Sequence, residues 1–84
     1  MKLKKIMNNI EKYNKSFEET FSITPDKLED LKYNDIPEWD SIGHMTLMSS
    51  LEEVFDISLE TDDIVDFSSY KVGLKILDKY KIDF

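Results

Sequence analysis

A serine at the mouth of a helix is the first feature of this 84-residue sequence whose type and position could do chemistry. No proline interrupts Ser41 to Phe55, and Leu47, Leu51 and Phe55 stand four apart with Met48 beside them, which predicts a helix with a buried stripe. Asp40 falls at the position whose side chain accepts from free backbone N–H groups, and Trp39 and His44 flank it at the spacing of a hydrophobic staple. In the first turn, Ser41 holds its hydroxyl outward beside the positive end of the helix dipole. A phosphate esterified there would be stabilised by backbone amides and dipole, by about 0.3–1 kcal/mol at an exposed position. Two rival chemistries are weaker. Asp40, Ser41 and His44 are the residue types of a hydrolase triad, but a triad needs an oxyanion hole and a pocket, and the sequence signals neither. Asp62-Asp63 invites calcium, yet a glycine-bearing ligand loop is missing and acids at a helix start explain the pair better.

The same helix offers a face for recognition. Ile42, Met45, Ser49 and Glu52 are linked by steps of three and four and point away from the Leu47, Leu51, Phe55 stripe. Ile42 and Met45 are expected as exposed apolar residues beside Ser41, with Glu52 and Glu53 supplying charge for basic partners. The plain alternatives are a solvated helix face for the two glutamates and core filling for Met45.

Composition narrows what such a site could serve. Single cores usually run to about 100–150 residues, so one domain spanning residues 1–84 is expected, with no room for a two-lobed catalytic cleft. Eighteen acids against eleven Lys and Arg give a formal charge of −7. Nucleic acid is a poor fit, because counterion release needs a basic stripe and the only basic cluster is Lys2, Lys4 and Lys5. An acidic surface favours basic protein partners. With no cysteine and one histidine, neither a disulfide framework nor a cysteine- or imidazole-rich zinc site is available. Met1 to Met7 lacks the apolar run of a signal peptide, and no stretch approaches the roughly 20 apolar residues of a membrane span. A cytoplasmic location is the expectation.

The elements that must position Ser41 follow from periodicity. Leu3, Ile6, Ile10, Tyr13, Phe17 and Phe21 mark one face of a long first helix. Thr24 as a cap and Pro25 at the first helical position predict a short turn through Leu28 and Leu31. Lys32 to Glu38, with Asn34 and Pro37, reads as a long ordered loop pinned to the core by Tyr33 and Ile36. Thr61 caps a short third helix from about Asp62 to Asp66. Ser68 or Ser69 starts a last helix with Tyr70, Gly73, Leu74 and Leu77 on one side, Gly73 allowing close helix approach. The fold class is all-α, a bundle of three long helices and one short, with a long loop between the first and second.

Glu38-Trp39-Asp40-Ser41-Ile42-Gly43-His44-Met45, followed by Leu47, Leu51, Glu52-Glu53, Phe55 and Asp62-Asp63-Ile64, resembles the acyl and peptidyl carrier protein family. The resemblance spans Phe17 to Leu77. It implies a free-standing, monomeric four-helix carrier that catalyses nothing itself. Ser41 matches the serine that receives 4'-phosphopantetheine from coenzyme A, and Asp40 matches the acid before it. The arm then carries an acyl or aminoacyl intermediate as a thioester. The implied partners are a phosphopantetheinyl transferase, an acyl- or aminoacyl-activating ligase, and a downstream acyltransferase or synthase. Ile42 replaces the family's usual leucine, and Thr46 stands in the partner-facing stripe where fatty-acid carriers often have glutamate. Together with the run Tyr33 to Trp39, this looks more like carriers of surface-polysaccharide or secondary-metabolite pathways. The lack of cysteine suits the reading, since an imported thiol then has no competitor on the protein. A small acidic interaction module that shares the fold but stays unmodified is the alternative.

Overall fold

The computed structural model describes residues 7–84, which form four α-helices and no strand. Helix α1 runs Asn9–Phe21, a 3₁₀ turn covers Pro25–Lys27, α2 runs Ser41–Phe55, α3 Thr61–Asp66 and α4 Tyr70–Asp78. The bundle is all-α, as the periodicity predicts. The expected start of the first helix differs: Leu3 and Ile6 lie outside the described residues, and α1 opens at a capping box. Asn8 accepts from the Glu11 N–H at 2.9 Å while Glu11 returns a bond to the Asn8 N–H at 3.0 Å, satisfying two free donors at once.

Two other caps also differ from expectation. Thr24 occupies the cap position of the 3₁₀ turn but makes no side-chain capping bond. Thr61 is the first residue of α3 rather than its cap; Glu60 takes that place, because the Tyr80 hydroxyl accepts its N–H at 2.9 Å and fixes the chain there. The Ser69 side chain caps α4 by accepting from the Val72 N–H at 3.0 Å.

Aromatic rings fill the centre. Tyr13, Phe17, Phe21, Trp39, Phe67 and Tyr70 are all buried, with Trp39 stacked on Phe21 at 5.3 Å and edge-on to Phe17 at 5.5 Å. Leu47, Met48 and Leu51 present the α2 stripe to this cluster, while Phe55 at its end is half-buried. Burial pushes the Tyr13 phenol far above its ordinary range, with Tyr70 adding to the effect, and its hydroxyl donates to the Tyr70 carbonyl at 2.6 Å. Gly73 is where α4 closes on the core: a Cβ there would lie 2.2 Å from both Phe67 Cζ and Tyr13 Oη. In α4, Tyr70, Gly73, Ile76 and Leu77 are buried and Leu74 is half-buried.

The loop from Lys32 to Asp40 is ordered by its own bonds. Asn34 adopts φ 70°, a left-handed conformation that asparagine tolerates, and its N–H reaches the Trp39 carbonyl at 3.1 Å. Lys32 forms an isolated antiparallel bridge with Ser69, in which the Tyr33 N–H donates to the Ser68 carbonyl and the Tyr70 N–H to that of Leu31. Ile36 is half-buried as expected, and Tyr33, 39 % exposed, sets its ring edge-on to Trp39 and His44.

Candidate functional site

Ser41 is the first residue of α2, and its side chain is exposed. Asp40 makes the start of the helix unambiguous: its Oδ1 accepts from the Gly43 N–H at 2.8 Å. Gly43 has a job that spacing did not reveal. A Cβ there would lie 1.9 Å from the Glu38 carbonyl oxygen, so only glycine lets the incoming loop cross the first turn this closely. Trp39 and His44 occupy the expected staple positions with their rings edge to edge and near-coplanar, 16° between planes and centroids 6.2 Å apart.

His44 does more than pack. The indole N–H of Trp39 donates to its Nδ1 at 3.0 Å. An indole has no acceptor to offer, so Nδ1 is the acceptor and the proton of the neutral ring sits on Nε2. Nε2 lies 2.8 Å from the carbonyl oxygen of Ile64, to which it donates. With both nitrogens committed, the ring can take a proton from Ser41 only by giving up one of these bonds.

Beside Ser41 lies an open, mainly apolar groove of ≈ 360 Å³, with Ser41, Met45 and His44 on one wall and Ile64 and Val65 of α3 on the other. Phe67 forms part of its lining, and Tyr33 and Ser68, joined through the Lys32–Ser69 bridge, bound one end. Two of its lining residues stay exposed, Val65 at 74 % and Met45 at 51 %, and Ile42, next to Ser41 in the chain, is 77 % exposed. The expected face is therefore only partly as read from spacing. Ile42, Met45, Ser49 and Glu53 are exposed; Thr46 is exposed with its hydroxyl donating to the Ile42 carbonyl at 3.1 Å. Glu52 instead turns inward to accept the Leu59 N–H at 2.8 Å, holding the segment that leads into α3. Tyr33, Ile64, Val65, Phe67 and Ser68 escaped the sequence reading as site residues. Val65 carried one usable signal, an apolar side chain in a short acidic helix, but its neighbourhood to Ser41 is tertiary.

Helix α3 is only six residues long and has no side-chain cap, so its position rests on bonds from both sides. On one side is the His44 bond to Ile64. On the other, buried Asp63 accepts from Lys79 Nζ at 2.6 Å and from the Tyr80 hydroxyl at 2.5 Å. Those donors, Lys79 first, hold the Asp63 carboxyl below its ordinary range, and the Asp63 bond raises Lys79 in turn. Both Asp63 oxygens are thereby occupied, which favours the structural use of the Asp62-Asp63 pair.

Compared with models of protein families, with curated proteins and with solved structures, the chain matches none.

Proposed function

We propose that the protein is an acyl carrier whose Ser41 hydroxyl bears a 4'-phosphopantetheine arm. The observation that carries this reading is the juxtaposition at Ser41: an exposed residue in the first turn of a 15-residue helix, opening onto an apolar groove that it shares with exposed Met45 and Val65, with exposed Ile42 next to it in the chain. Each part has a use. Accessibility lets a phosphopantetheinyl transferase reach the hydroxyl, and the free amides and dipole of α2 favour the phosphodiester. The arm supplies the thiol on which an acyl or aminoacyl group is held. Nothing in the chain itself competes for that group, since the sequence has no cysteine and His44 is engaged at both nitrogens.

The protein's own residues then have two tasks. Asp40 and Gly43 fix the direction in which Ser41 points, and the exposed apolar residues with Glu53 and Ser49 give activating ligases and acyltransferases a surface to recognise. Tethering raises the effective concentration of cargo at each partner without requiring tight binding. In this reading the molecule acts as a monomer in the cytoplasm, alongside its coenzyme A source.

The test is intact-mass measurement after incubation with coenzyme A and a broad-specificity phosphopantetheinyl transferase. Wild-type protein is expected to gain one phosphopantetheine and the Ser41→Ala variant none. A wild-type chain that stays unmodified would leave the exposed patch to an unmodified interaction module; an adduct on the variant would move the site.

A further inference from the structure

Both nitrogens of His44 are spent on holding the groove shut at its back, an expenditure that attachment at Ser41 does not require. Tracing inward from the mouth, the groove meets His44, then Trp39 hydrogen-bonded edge to edge with it, then Phe17 edge-on to Trp39, the last two fully buried. Phe67, 1 % exposed, closes the lining beside His44. A long alkyl chain could enter between α2 and α3 only by moving α3 outward. Its Ile64 carbonyl is tied to α2 through His44, and its Asp63 to Lys79 and Tyr80 beyond α4, so that motion breaks bonds on one side or both.

We infer that His44 is a specificity-determining residue that sets an upper length for cargo, so that the carrier takes short acyl or aminoacyl groups lying in the open groove and excludes long fatty chains from the bundle. This rests on the carrier reading for the identity of the cargo, while the length limit is a property of the groove alone. The groove, ≈ 360 Å³, is open at its mouth, so the limit lies in its depth, which His44 closes, and not in its volume. Trp39 matters because its indole N–H selects the tautomer: were Nδ1 the protonated nitrogen, the ring would have no donor for Ile64. The indole thus makes the histidine a directed strap across the cleft.

The length limit can be measured without coenzyme A. Ser41→Cys places the chain's only thiol at the groove mouth, and alkyl methanethiosulfonates attach methyl, butyl, hexyl, dodecyl or hexadecyl groups there as disulfides, methanesulfinate leaving. Thermal midpoints are compared with the methyl-labelled form of the same variant, so any baseline cost of a substitution cancels. The hexyl label is expected to raise the midpoint by about 4 °C or more, the shift of a roughly 1 kcal/mol gain in a domain of this size, with no further rise for dodecyl or hexadecyl. Adding His44→Phe, which keeps a ring but removes the donor, should let the rise continue to dodecyl. Adding His44→Gln, which can still donate, should restore the hexyl ceiling, a rescue that a purely packing role would not produce. A midpoint that climbs through hexadecyl with His44 intact, or an identical ceiling with His44→Phe, overturns the inference. Failure of Ser41 to accept phosphopantetheine would instead count against the carrier reading and leave the measured ceiling standing.

Discussion

The start of α2 and the whole of α3 face each other across the groove, yet they are held in opposite ways. At α2 the sequence carries its own instructions: Asp40 caps, Trp39 and His44 staple, Gly43 clears the loop, and the helix runs on for 15 residues. At α3 nothing local suffices. Six residues, no side-chain cap and an exposed Val65 make a helix that would not persist alone, and it is fixed by Asp63 to Lys79 and Tyr80 and by Ile64 to His44. A local start presents the Ser41 hydroxyl in a constant direction, and a tertiary wall beside it can set what fits.

Trp39→Ala strikes both regions and has the largest expected effect. The indole is fully buried, staples α2 and orients the ring that holds α3. Truncating it should cost about 3–5 kcal/mol in urea unfolding. A loss below about 1.5 kcal/mol would mean that neither region depends on it. Asp40→Ala separates the two: loss of a cap typically costs about 0.5–2 kcal/mol. Hydrogen exchange should quicken in the first turn of α2 and stay unchanged in α3. Equal quickening in both would merge the regions that the geometry distinguishes.

Asp63→Asn is the smallest change and is read through pH. Because the folded-state value of Asp63 is lowered, its contribution is fully present above the ordinary 3.8 and fades as pH falls through the lower folded value. Lys79, raised in the fold, contributes fully below its ordinary 10.5 and loses that share as pH rises through the raised value. The variant should therefore be less stable than wild type at neutral pH and should converge on it in acid. A constant difference down to the acid limit would remove the carboxylate from the clamp.

Much of this molecule was legible in the order of its residues because the relevant forces are local. Periodicity marked α1 from Ile10 to Phe21 and all of α2, since a repeat near 3.6 with apolar side chains puts them on one face whatever lies opposite. Asp40 declared the start of α2, and Gly73 announced a close approach. The misreadings were also local in origin. Thr61 looks like a cap, but the Tyr80 hydroxyl, twenty residues from Glu60, moves that role back one place. Glu52 has the spacing of a partner-facing residue, but the Leu59 N–H draws it inward.

The sequence by itself determined the helices, the acidic charge and the exposure of Ser41 at a capped helix start, because caps, dipoles and periodicity act within a few residues. Only the tertiary structure decided that Val65, Phe67 and Tyr33 share a groove with Ser41, and that His44 spends its Nε2 proton on Ile64. Those facts depend on which segments meet in space, and the hydrogen bonds joining them link residues whose separation along the chain follows no period.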